Sequence, residues 1–290
     1  MFENIIKTGF ELSGGVKPSS RANCGSSKYC LKRLLAFTLA ETLIVMGIIG
    51  IVSALTLPNL NSSTGEKEKI AKVQKVYQNL NDALGRAQAI YGPISEWHTS
   101  NSSATSSTQF NPVITDRVGE FLKVSKTCPA NATGCFKNAT PKNFRGEATE
   151  TVWNLGAVST YPRLILADGT SVFIQHWSKN CNGAKAPDGT QTTCGWVAVD
   201  IDGPTKGPNQ AGKDLFLFDF SETYGLYPFG SFQLNYVPSD IYKKCFNKGT
   251  GCSAWVIDFG NMDYLNADAS GKCKNNTSIV LDGVTNTSCK

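Results

Sequence analysis

The sequence predicts an α+β fold. A long N-terminal helix is expected, its apolar half spanning a membrane and its second half packed on an antiparallel β-sheet, with a disulfide-stapled head. Three observations carry this. From Phe37 to Leu57 twenty-one residues hold one charge, Glu41. After Glu66, apolar residues recur at intervals of three and four, the period of an amphipathic helix. Beyond residue 160, short runs rich in Val, Ile, Phe and Leu alternate with Gly- and Asp-containing turns, the pattern of strands, and cysteines are spread through this half of the chain.

As a helix the stretch 37–57 rises roughly 30 Å, the thickness of one hydrocarbon core. Lys32 and Arg33 precede it, and a cationic flank tends to stay in the cytoplasm, so everything C-terminal is expected to be exported. A secretory signal peptide is the plain alternative. Against it, the apolar run exceeds the roughly 7–15 residues of such a segment. An acid inside the run also has a cost, about 2.5–3.5 kcal/mol at the centre of a spanning helix and less near its edge.

Phe37-Thr-Leu-Ala-Glu41, the basic residues before it and Pro58 after it resemble the prepilin-type segment of type IV pilins and type II secretion pseudopilins. In that family a basic leader is cut before an aromatic residue and Glu stands fifth in the mature chain. The resemblance covers about thirty residues. It implies a cut between Ala36 and Phe37, and it places Pro58 twenty-second in the mature chain, where such helices commonly carry Pro. Two departures stand out: Ala36 replaces the usual Gly before the cut, and a leader of thirty-six residues is long. Ala is small enough for processing to proceed.

Cutting before Phe37 would free an α-amine, and a cation beside a carboxylate in a low dielectric invites an ion pair. The resemblance implies that Glu41 pairs with the amine of a neighbouring subunit and sets axial register in a filament. It also implies the partners: other pilin or pseudopilin subunits, a prepilin peptidase/N-methyltransferase, inner-membrane assembly machinery and the membrane itself. The expected location is the bacterial inner membrane, as a single pass, before assembly and a periplasmic or extracellular filament afterwards. The expected divisions are leader 1–36, assembly helix 37–58, amphipathic helix 59–94 and head 95–290. A minor tip subunit or adhesin is the rival within the family. A membrane-anchored surface binding protein that never polymerises is the rival outside it. Gly50 and Ala54, four apart, would allow close approach of helices.

Composition excludes more than it identifies. The formal charge is +5 from 28 basic and 23 acidic residues. Removing residues 1–36, with six basic and two acidic side chains, leaves 22 and 21, so no global basic field points to nucleic acid. Cys24 and Cys30 fall in the leader. The eight others are Cys128, Cys135, Cys181, Cys194, Cys245, Cys252, Cys273 and Cys289, and an even number on the exported side reads as a disulfide framework. Pairing in order is expected because each pair brackets a loop containing Gly, Asn or Thr. Zinc fits poorly, since no Cys-x2-Cys occurs and His98 and His176 stand apart from any pair pattern.

In chain order, Asn59-Leu-Asn-Ser-Ser-Thr-Gly65 is expected to break the helix, with Thr64 as a cap. Ile70, Val73, Val76, Tyr77, Leu80, Leu84, Ala87 and Tyr91 then line one helical face. Residues 95–108 read as a polar loop, and a short helix is expected over Thr115–Ser125. Arg163–Leu166 and Ser171–Gln175 form a hairpin about Asp168-Gly169. Further strands are expected over Trp196–Ile201 and Asp214–Phe220.

The connection between those strands resembles the acidic, Gly-rich loops of some pilins and pseudopilins that bind calcium. The resemblance implies Asp200, Asp202, Asn209 and Asp214 as ligands with loop carbonyls, toward the six to eight oxygens that calcium takes. Acids that merely solvate a turn are the alternative, and no other cofactor is expected. Ser253-Ala-Trp-Val-Ile and Asn261-Met-Asp-Tyr264 resemble the ending of large pilin-like proteins. Trp255, Phe259 and Tyr264 there are expected to form a small core. No phosphate loop, dinucleotide fingerprint or readable Ser-His-Asp or Cys-His arrangement occurs, so no enzymatic activity is expected.

Overall fold

The structure is a computed structural model that describes residues 38–97, 107–129, 141–147, 162–176, 180–183, 193–229, 238–277, 279 and 289, without the side chains of 54–64, 107–111 and 238–241. Two compact units result, Met1–Thr56 and Leu57–Lys290. In the first, the described residues are the start of helix α1, Leu39–Tyr91, which runs on into the second. The expected break at 59–65 does not occur: the helical backbone continues through it. A proline inside a helix costs about 3 kcal/mol, and helical sequence on both sides offsets that locally.

The second unit is built on one sheet. Its strands are β1 (Val124–Cys128), β2 (Lys142–Asn143), β3 (Arg163–Leu166), β4 (Ser171–His176), β5 (Thr193–Asp200), β6 (Gln210–Ala211), β7 (Leu215–Ser221) and β8 (Gly225–Pro228). The order is β1-β3-β4-β5-β7-β6-β2, with β8 also paired to β7. The longer strands pair antiparallel. However, β2 with β6 and β6 with β7 pair parallel, so the sheet is mixed and the antiparallel expectation is corrected. Two-residue strands bury too little to leave an alternating pattern, which is why the parallel margin has no signature in the sequence.

The membrane-spanning half-helix is corrected too. Among the described residues no helix is long and apolar enough to cross a membrane. Before residue 54 the described side chains of α1 run from Leu39 to Ser53. Within them Glu41, Thr42 and Ser53 interrupt the apolar run.

Val73, Val76, Leu80, Ala83, Leu84 and Ala87 form the buried stripe of α1. They belong to one core with Val172 and Ile174 of β4, Val197 and Val199 of β5, and Phe216, Phe218 and Phe220 of β7. Register places these side chains on one face of the sheet: Val172 opposes Val199, which opposes Phe216, and Ile174 opposes Val197, which opposes Phe218. The other face carries a second cluster of Phe173, Ala198, Ala211, Leu215 and Leu217. Two polar contacts fix α1 against β8. The Tyr77 hydroxyl donates to the Leu226 carbonyl at 3.0 Å, and the Leu226 N–H donates to Asn81 Oδ1 at 2.9 Å.

Helix α2 spans Ser107–Gly119 and ends before the expected helix would have. After it, Val124–Cys128 is a strand, because pairing with β3 outweighs a weak helical preference. The β3–β4 turn uses three residues rather than two: Leu166 N–H donates to the Thr170 carbonyl at 2.8 Å, and Gly169 adopts φ +88°. Helices α3 (Pro238–Lys248) and α4 (Cys252–Phe259) complete the unit. Trp255 and Tyr264 are fully buried, with the Tyr264 hydroxyl on the Gly212 carbonyl at 2.6 Å. Disulfides join Cys181 to Cys194, Cys245 to Cys252 and Cys273 to Cys289. Cys128 is also disulfide-bonded, while Cys135 lies outside the described residues.

Candidate functional site

Ala36 and Phe37, the expected processing residues, lie outside the described residues. Glu41 is described, and its surroundings add a feature that the sequence reading overlooked. Glu41 Oε2 accepts hydrogen bonds from the Thr38 N–H and the Thr38 hydroxyl, both at 2.9 Å, while the Glu41 N–H donates to Thr38 Oγ1 at 3.2 Å. This is a capping box, in which residues three apart satisfy each other's free N–H groups at the start of a helix. The Thr-x-x-Glu signal was present in the sequence. It gives Glu41 a structural task within its own chain, whatever it does between chains.

Beyond Glu41 the helix is apolar on every side. Leu43, Ile44, Val45, Met46, Ile48, Ile49, Ile51 and Val52 are each more than half exposed, between 53% and 70%. A helix that is hydrophobic all round is normally covered by something else. Gly47 and Gly50 have open space where a Cβ would stand, leaving shallow places at which another helix can approach closely.

The acidic loop after β5 is the second candidate. Asp200 is fully buried, and its Oδ1 accepts from the N–H of Gly203 at 3.0 Å and of Asp202 at 3.4 Å. Asp200 Oδ2 and Asp202 Oδ1 are both buried with no hydrogen-bond partner. Asp214 is also fully buried, but both its oxygens are used: they accept from the N–H groups of Asn209, at 2.6 Å, and Gln210, at 2.5 Å. The Asn209 amide donates to the Lys206 carbonyl at 2.8 Å. Of the four expected calcium ligands, Asp200 and Asp202 therefore keep free oxygens, while Asp214 and Asn209 fold the loop. Among the described residues no three or more His, Cys, Asp or Glu gather closely enough to hold a metal ion.

Burial, above all, pushes the Asp200 carboxyl up to about 8, helped by the neighbouring Asp202 carboxyl and by the charge of Asp214. Burial likewise raises Asp214, against the two backbone N–H bonds that favour its ionised form. A carboxylate held out of water, as Asp200 is, needs either a proton or a cation. His176, buried beside Phe220 with ring centroids 6.2 Å apart, belongs to the core.

No family model matches the chain, and no curated protein or solved structure shows significant similarity to it.

Proposed function

We propose that this chain is a structural subunit of a filament of the type IV pilus or type II secretion pseudopilus kind, assembled through the N-terminal part of α1. The observation that carries the reading is the all-round apolar surface from Leu43 to Val52. Fully burying a Leu, Ile, Val or Met side chain is worth about 1.5–3 kcal/mol. Eight such side chains supply on the order of 10 kcal/mol against the cost of association. Helices of neighbouring copies, packed side by side, cover such a surface with like chemistry, and Glu41 is then the single charged group that distinguishes one axial register from another.

Glu41→Gln tests this cleanly, because Gln keeps the capping hydrogen bonds and removes only the charge. Electron microscopy of cells carrying a labelled subunit is expected to show label along fibres for the parent chain and a loss of about tenfold or more for Glu41→Gln, the effect of about 1.4 kcal/mol. Label confined to fibre ends would assign the chain to the tip. Label on cells without fibres, or normal incorporation of Glu41→Gln, would sink the reading.

A second reading concerns the loop after β5, where calcium would sit on the free oxygens of Asp200 and Asp202 and draw further oxygens from loop carbonyls and water. A ligand that binds only the folded chain raises its melting temperature by mass action. Calcium at 100 times its dissociation constant would add about 2.7 kcal/mol. Scanning calorimetry is expected to show this rise in the parent and not in Asp202→Asn; no rise in the parent would leave a proton on Asp200 in place of the cation.

A further inference from the structure

We propose that a cleft between α1 and the β3–β4 turn binds a sugar that carries a single carboxylate. The cleft has a volume of about 510 Å³ and lies wholly within the second unit, in the size range of small-molecule sites. One wall is a stripe of α1, Lys75, Asn79, Asp82 and Arg86. These positions recur along one helical face over roughly 16 Å. The opposite wall is Phe121-Leu122-Lys123 and Leu166-Ala167-Asp168, two segments tied by the Ala167 N–H donating to the Lys123 carbonyl at 2.8 Å.

The charges in the cleft specify the ligand. Each carboxylate has a cation: Lys75 Nζ lies 2.9 Å from Asp168 Oδ2, and an Arg86 nitrogen 3.8 Å from Asp82 Oδ2. The Arg86 guanidinium also sits 4.9 Å above the Phe121 ring, which anchors that end. Among the described residues the Lys123 ammonium and the Asn79 amide are unpaired, so one positive charge and one amide remain to be matched. Asp82 and Asp168 would repel a polyanion, whether nucleic acid or an acidic peptide. The same carboxylates accept hydrogen bonds from hydroxyl groups, while Lys, Arg and the amide donate to them. A ligand that both donates and accepts at many points and bears one negative charge meets these demands, and a carboxylated sugar is that ligand. A lining this rich in charge does not suit a lipid chain. The inference is independent of the filament reading, since it needs only the folded second unit.

The test is a calorimetric titration of the purified full-length chain with galacturonate, which carries one carboxylate, its neutral methyl ester and a tri-aspartate peptide. Galacturonate is expected to bind, with the ester weaker and the peptide weaker still. Lys123 is exposed, so Lys123→Glu leaves the fold intact by circular dichroism and is expected to weaken galacturonate binding about tenfold or more by reversing the one uncompensated charge. Asn79→Leu is expected to weaken the acid and its ester alike. Absence of binding, binding indifferent to Lys123→Glu, or a peptide that binds as well as the sugar would each overturn the proposal.

Discussion

Gly195 has no room for a side chain. A Cβ there would stand 1.9 Å from the Gln175 carbonyl oxygen and 2.7 Å from the Phe220 ring, and the first of these is backbone that cannot swing away. Gly195 lies where the β5–β7 register shifts, opposite Phe220, so the ring fills the space that a methyl group would take. Gly85, by contrast, lies in α1 with nothing within 4 Å of where a Cβ would stand. Glycine inside a helix is destabilising by roughly 0.5–1 kcal/mol relative to alanine. Urea denaturation is therefore expected to show Gly195→Ala destabilised by about 3 kcal/mol, the upper end of overpacking effects, and Gly85→Ala stabilised by about 0.5–1 kcal/mol. A destabilised Gly85→Ala or a neutral Gly195→Ala would contradict this account. The sequence could not separate these two glycines, since their difference lies in what the fold brings beside them. Glu41 shows the reverse: its capping partner Thr38 is three residues away, so its task at the start of α1 was legible from spacing.

Elements with a strong period were readable, and elements defined by pairing were not. The stripe from Val73 to Ala87 and the hairpin about Asp168-Gly169 each carry their pattern within a few residues. Strand β1 does not: Val124–Cys128 continues a helical run in the sequence and turns to strand because β3 offers an edge. Nor does α4, which is buried from Cys252 to Val256 and so lacks a polar face to reveal its period. The union of α1 with β8 is likewise tertiary, and it rests on two side chains that the period alone reads as ordinary. Tyr77→Phe removes only the hydroxyl on the Leu226 carbonyl and is expected to cost about 1 kcal/mol. Asn81→Ala leaves the Leu226 N–H without its acceptor and is expected to cost more, about 1–3 kcal/mol. Because both groups hold residue 226, the double variant is expected to fall short of the sum by about 0.5 kcal/mol or more in a double-mutant cycle. Strict additivity would mean that the two contacts act separately and that no clasp exists.

Across the whole molecule, the acids buried under the β5–β7 connection set how stability follows pH. Asp200 has its carboxyl pushed up to about 8 from 3.8, first by burial and then by Asp202 and Asp214. Burial moves Asp214 the same way, with Lys69 opposing. Below about pH 4 these groups are protonated in both folded and unfolded chains, and the fold keeps its full stability from them. As pH rises from 4 toward 8 the unfolded chain loses protons that the folded chain retains, so stability falls across that window and levels off above the folded value. Asp168 and Asp268 shift downward and act with the opposite sign, but only at and below their ordinary range near pH 3.8. The window between 4 and 8 therefore belongs to the buried acids. In the presence of a chelator, the unfolding free energy from urea titrations is expected to decline from pH 4.5 to pH 8 by on the order of a few kcal/mol. Asp200→Asn, which needs no proton to be neutral, is expected to flatten the decline and to be more stable than the parent at pH 8.5. A divalent cation on Asp200 would replace that proton and flatten the parent's profile as well, with a proton released on binding. A parent whose stability is level over that range in chelator would mean that water reaches Asp200 and that the loop is an ordinary solvated turn.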